Sequence, residues 1–181
     1  GIHYYNIYKG MASKAQLAFA RQVYAAAVEA KTEIDPAFVT AQAMLETGWG
    51  ARVIGKANLF GITKGSQWDG AVVMVKTHEY FKTSNQKFKA PDRIISVCKV
   101  TGKNLWYYTV MRAFKDFDSI GDCLKEHERL FQKSGYKDAW PFRKDPFKFA
   151  QKICDGVGCK YATAPTYLTT ITCIIKTIRR K

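Results

Sequence analysis

The 181-residue chain predicts an α+β fold in which helical segments at both ends flank a strand-rich middle. Three observations carry this expectation. Helix-start signals precede apolar positions at three- and four-residue spacing near residues 13, 35, 118 and 145. Between residues 71 and 114 the periodicity shortens to two, and β-branched and aromatic residues crowd into three runs. A content of 47% hydrophobic and 14% aromatic residues is enough to build a sizeable core, and no linker, repeat or low-complexity stretch divides the chain.

In chain order, Ser13 and Gln16 form a capping box for a helix reaching about Ala30, with Leu17, Tyr24, Ala27 and Val28 near one stripe. Asp35-Pro36 supplies an N-cap and a first-turn proline for a second helix, which Gly48 ends. Residues 50–70 hold five glycines and no clear period, which reads as a long shaped loop of the kind that carries function. Strands are expected at 71–81, 94–100 and 105–114, the last two joined by a turn at Thr101-Gly102-Lys103-Asn104. Asp118-Ser119 caps a helix that places Ile120, Cys123, Leu124, His127, Leu130 and Phe131 on one face, and Asp145-Pro146 opens a shorter one. In the last segment, 165–181, threonines and isoleucines favour strand, but Leu168, Ile171, Ile175 and Ile178 keep helical spacing, so length and periodicity favour helix. The expected organisation is an N-terminal extension, 1–12, followed by one domain, 13–181, with a β-lobe at about 68–114.

Twenty-nine Lys and Arg against fifteen Asp and Glu leave a net charge of +14. The excess favours polyanionic partners such as nucleic acid, anionic lipid or envelope polymers, or simply keeps the surface solvated. The basic residues are dispersed apart from Arg179-Arg180-Lys181, and no nucleic-acid reading motif accompanies them. No apolar segment is long enough to span a membrane, and a chain that begins at Gly1 without a leader reads as a trimmed or processed product. The five cysteines lack CxxC spacing, so neither a metal site nor a cofactor is expected. They read as reduced and buried, the alternative being a bridge between Cys154 and Cys159. His127, on an apolar helix face, reads as a structural residue.

Two carboxylates stand out. Glu46 lies in the last turn of an otherwise uncharged helix, where the partial negative charge of the helix end opposes ionisation, as does any burial. An acid kept protonated near neutrality suits glycosidic cleavage, whose leaving group needs a proton; the alternative is an ordinary helix-end glutamate paired with a lysine. Glu79 shares a strand face with Val73, Val75, Thr77 and Phe81, and its alternative is an ion pair with Lys76 or Lys82. The aromatic residues Trp49, Phe60, Trp68, Tyr80, Tyr161 and Tyr167 are candidates for sugar stacking or for core packing, with Trp49, between two glycines beside Glu46, the foremost for substrate contact. Asn58 either holds its loop or binds an N-acetyl group, and the loop role is preferred.

Leu45-Glu46-Thr47-Gly48-Trp49-Gly50, Asn58-Leu59-Phe60-Gly61-Ile62, Thr77-His78-Glu79-Tyr80, the stretch 114–119 with the downstream His127, and Tyr161-Ala162-Thr163-Ala164-Pro165-Thr166-Tyr167 follow in order. This series closely resembles the motifs of family 73 glycoside hydrolases, the mannosyl-glycoprotein endo-beta-N-acetylglucosaminidase-like domains of autolysins, flagellar peptidoglycan hydrolases and phage lysins. The resemblance covers roughly residues 13–178. It implies a lysozyme-like fold, cleavage of the β-1,4 glycan strand of peptidoglycan, a monomer without cofactor, and action at the bacterial cell wall, whether secreted, periplasmic or phage-delivered. Position by position, Glu46 matches the family's general acid, Glu79 its second carboxylate on the β-lobe and Tyr161 its active-site tyrosine. Ala164 departs from the family's aspartate and removes an N-cap for the last helix.

The resemblance leaves open cleavage as a glucosaminidase or as a muramidase. It also leaves open inversion by a water between carboxyls about 6.5–9.5 Å apart, retention at about 5 Å, and assistance by the substrate's acetamido group. A silent wall-binding module and a nucleic-acid binder are the readings from other classes. The first would bind wall without releasing fragments, and the second would bind with steep salt dependence.

Overall fold

The computed structural model describes residues 12–155 and 166–179. Helices α1 (Lys14–Glu29), α2 (Pro36–Thr47), α3 (Ile120–Phe131), α4 (Pro146–Asp155) and α5 (Thr166–Arg179), with strands β1 (Val72–Phe81), β2 (Arg93–Lys99) and β3 (Trp106–Lys115), follow the expected order. Single 3₁₀ turns at Ser134–Tyr136 and Trp140–Phe142 link α3 to α4. The chain divides into two compact units, Gly1–Phe60 with Phe117–Lys181 and Gly61–Asp116. No helix among the described residues is long and apolar enough to cross a membrane.

The helical unit is organised by its caps and by α2. Ser13 Oγ accepts from Gln16 N at 3.1 Å while Ser13 N donates back to Gln16 Oε1 at 2.8 Å, which closes the expected capping box. Asp35 Oδ1 accepts from Ala37 N at 2.8 Å, and Ser119 Oγ from Asp122 N at 3.1 Å. Residues of α2 from Ala37 to Met44 are all buried, and the helix packs against α1, α4 and α5. Phe38 anchors this core, its ring edge-on to Phe149 at 4.8 Å and to Phe131 at 6.3 Å. The final helix is confirmed as a helix, with Ile171, Ile174 and Ile175 fully buried: burial of one stripe against α2 and α4 outweighs the strand preference of its β-branched residues.

In the β-unit, β3 lies between β1 and β2, and both pairings are antiparallel. The unit begins at Gly61 rather than near 68 and runs to Asp116 rather than 114, because the preceding loop already pairs with β3. Lys115 N donates to Ile62 O at 3.0 Å, and Lys64 N to Ala113 O at 2.9 Å. A bulge between Ile94 and Ser96 shifts the β2 register. Tyr108 is fully buried, with Phe81 at 5.0 Å and Phe88 at 6.3 Å around it, and its hydroxyl donates to Thr83 O at 2.6 Å and accepts from Gln86 N.

Cys98, Cys123 and Cys154 are free thiols, and Cys159 lies outside the described residues. Burial pushes the Cys123 thiol up to about 12. The expectation of buried cysteines fails at Cys98, which is exposed on β2, an edge strand.

The turn after α2 is a constrained stretch of backbone. Gly48 (φ 57°), Trp49 (φ 57°) and Gly50 (φ 93°) are all at positive φ, and a Cβ on Gly50 would lie 2.7 Å from Cδ1 of Phe19. Gly50→Ala is therefore expected to cost about 1–3 kcal/mol, read as a lower urea midpoint. An unchanged midpoint would show that Phe19 yields freely.

Candidate active site

Glu46 occupies the last turn of α2, and the left-handed Gly48 caps the helix behind it, its N–H bonded to Met44 O. Thr47 braces the turn, its hydroxyl donating to Ala43 O at 2.7 Å and accepting from Gly50 N at 2.9 Å. Glu46 itself is exposed, which corrects the expectation that burial helps to keep it protonated. One turn back, Gln42 is fully buried, and its Nε2 donates to Glu46 Oε1 at 2.9 Å. The Tyr167 hydroxyl of α5 donates in turn to Gln42 Oε1. Three residues from two helices thus form one hydrogen-bonded line that reaches the carboxylate.

Burial reassigns several aromatic candidates. Trp49 is only 4% exposed, Tyr167 is buried with its hydroxyl on Gln42, and Phe60 lies stacked on His127 with ring centroids 3.8 Å apart. A ring covered by protein offers no open face to a sugar, so these three act as packing and positioning residues in this structure. Asn58 is buried as well; its Oδ1 accepts from Phe60 N at 3.3 Å and its backbone pairs with Ile54, which is the loop-holding arrangement. Tyr161 lies outside the described residues, as does Ala164.

Within the β-unit, Glu79 pairs with Arg112, Nη1 to Oε1 at 2.6 Å. Neither Lys76 nor Lys82 is the partner, because strand alternation turns both to the opposite face of β1. In the β1–β3 register Arg112 stands opposite Val75, in the row that contains Glu79, and its guanidinium also faces Asp92 Oδ2 at 3.4 Å. Asp92 is fixed by Ala113 N, which donates to its Oδ1 at 2.8 Å. On the reverse face, His78 is stacked on Tyr107 at 5.1 Å, and Tyr80, 61% exposed, lies against the same ring at 5.1 Å. Trp68 is half-buried: its Nε1 donates to Ala71 O at 2.9 Å, and Lys115 Nζ sits 5.1 Å over the ring. Of the described stacking candidates, Tyr80 keeps the most open ring.

His127 is the unusual buried group. Neither ring nitrogen has a hydrogen-bond partner, and burial lowers its pKa from 6.5 to about 3. Between those two values the unfolded chain carries a proton here that the folded one lacks. Stability is thus undiminished by His127 above pH 6.5 and falls with falling pH below it, by up to about 1.4 kcal/mol per unit. His127→Phe is expected to flatten this dependence in urea titrations between pH 4 and 6.5, and an unchanged slope would contradict it.

The chain is similar to known proteins in both sequence and fold. The family model described as mannosyl-glycoprotein endo-beta-N-acetylglucosaminidase matches residues 22–180. The peptidoglycan hydrolase FlgJ of Pseudomonas aeruginosa is 30% identical over 141 residues, covering 74% of this chain but only 29% of that protein. Among solved structures, a peptidoglycan hydrolase mutant from Sphingomonas sp. A1 is 25% identical at a TM-score of 0.59, with 90% of this chain and 96% of that one covered. A C-terminally truncated glycoside hydrolase domain of Salmonella typhimurium FlgJ shares the fold, with a TM-score of 0.66 at 20% identity over 92% of this chain and 99% of that one.

Proposed function

The chain belongs to the mannosyl-glycoprotein endo-beta-N-acetylglucosaminidase family of glycoside hydrolases, and from that premise we propose that it cleaves the glycan strand of peptidoglycan with Glu46 as general acid. The observation that carries the assignment is the placement of Glu46, an exposed carboxyl at a capped helix end with one oxygen held by a buried amide. Exposure leaves it open to a polymeric substrate, and the braced turn fixes where its proton is delivered.

Cleavage passes through an oxocarbenium-like state, so Glu46 donates its proton to the glycosidic oxygen as positive charge builds at the anomeric carbon. Glu79 is the second carboxylate of this proposal. Its ion pair with Arg112 holds the carboxylate in place, which suits orientation of the substrate's acetamido group or electrostatic support. The excess positive charge draws the domain toward anionic envelope polymers, and the domain acts at the bacterial cell wall.

The test is mass spectrometry of borohydride-reduced fragments from purified wall. N-acetylglucosaminitol ends are expected. N-acetylmuramitol ends would make the domain a muramidase, and an absence of soluble fragments would overturn the assignment in favour of a silent wall-binding module.

A further inference from the structure

We propose that Tyr167 and Gln42 form a positioning relay that fixes the polarity of the catalytic acid. The proposal rests on the assignment of Glu46 as that acid. A primary amide between two hydroxylic groups can be oriented in two ways. With its oxygen toward Glu46, the amide accepts the carboxyl proton and holds it away from substrate; with its nitrogen toward Glu46, it donates to the carboxylate and leaves the proton to the other oxygen. The observed orientation is the second, Tyr167 Oη to Gln42 Oε1 and Gln42 Nε2 to Glu46 Oε1.

Two features of the fold enforce that choice. Gln42 is fully buried in the α2 core, so water does not compete for its amide, and it lies one helical turn before Glu46, where side chains meet on one face. Tyr167 is itself buried one residue into α5, which packs along α2. Tyr167 donates its hydroxyl proton to Oε1, and inverting the amide would exchange this phenol-to-carbonyl bond for an N–H donated to a phenol oxygen, a poorer acceptor than a carbonyl. Among the described residues, Arg52 is a charged group beside this turn, its guanidinium lying over Gly48. Arg52 is left in place in the variants below.

Removing the Tyr167 hydroxyl lets Gln42 invert and capture the proton of Glu46. Tyr167→Phe is expected to lower kcat on purified wall by roughly five- to fifty-fold with KM little changed, the range of a coupled hydrogen-bonded pair. It should also move the basic limb of the pH–rate profile upward, because the inverted amide stabilises the protonated acid. Gln42→Leu removes the charge-assisted donor and should move the same limb upward by about one pH unit. In the Gln42→Leu background, Tyr167→Phe should have no further effect.

Melting curves exclude loss of fold as the cause, and titration of carbon-13-labelled glutamate carboxyls follows the Glu46 midpoint without substrate. An upward shift of that midpoint in Tyr167→Phe supports the relay; an unchanged midpoint and pH profile, or additive effects in the double variant, overturn it. Glu46→Gln separates the two ideas. Activity retained there refutes the assignment of the acid, whereas a dead Glu46→Gln beside an unaltered Tyr167→Phe refutes the relay alone.

Discussion

Glu46→Gln lowers the release of reducing ends from purified wall by about 10²–10⁴-fold, the contribution expected of a positioned general acid. The amide has the size of the carboxyl but no acidic proton to give to the leaving group. Its side-chain oxygen can still accept from Gln42 Nε2, the 2.9 Å contact that Glu46 makes, so the α2 terminus keeps its bracing. Because Glu46 is exposed and the Gly48 cap and the Thr47 bonds do not involve its side chain, the melting temperature should stay within a degree or two of the parent. A variant that turns over wall at the parental rate would remove Glu46 from the chemistry and with it the proposed mechanism.

Phe38→Ala gives the largest expected loss of stability, about 3–5 kcal/mol for a fully buried aromatic ring cut to a methyl group. Phe38 is 0% exposed and stands between Phe149 and Phe131, which contact each other at 5.4 Å, so the cavity is walled by rings that cannot close on it without abandoning their own packing. Set against a typical domain stability of about 5–15 kcal/mol, this is roughly a fifth or more of the total. Urea unfolding of the helical unit should show a lower midpoint at an unchanged slope. A loss below about 1 kcal/mol would mean that the ring triad is not the anchor of the core.

The elements that could be read from sequence are those whose cause is local. Ser13 with Gln16, Asp35 with Pro36, and Ser119 each bond a nearby backbone N–H, so the residue type at one position and the spacing to the next are sufficient. Gly48 ended α2 for the same kind of reason, since a left-handed cap selects glycine. Alternation located three strands to within one or two residues, and stripe spacing correctly outweighed β-branched propensity in α5. The two 3₁₀ turns after α3 carried no period long enough to register. The early start of the β-unit at Gly61 depends on pairing with β3, some fifty residues downstream, a contact that no window on the loop contains.

Glu46 was singled out by a helix end and an uncharged neighbourhood, and Glu79 by a strand face; both are properties of a few adjacent residues. Their partners were less accessible. Arg112 was within reach once β1 was paired with β3, because it is the cation on that face of β3, but the register that sets it opposite Val75 is tertiary. Tyr167 is a candidate in sequence for either sugar stacking or core packing, because an aromatic residue looks the same whether it lines a groove or fills a core. The helices, the strands and the two carboxylates were therefore determined by the chain itself, through capping chemistry and periodicity acting over three to ten residues. Only the tertiary structure decided which carboxylate oxygen meets Gln42, which cation holds Glu79 and which rings are covered, because those contacts join segments dozens of residues apart and are settled by packing.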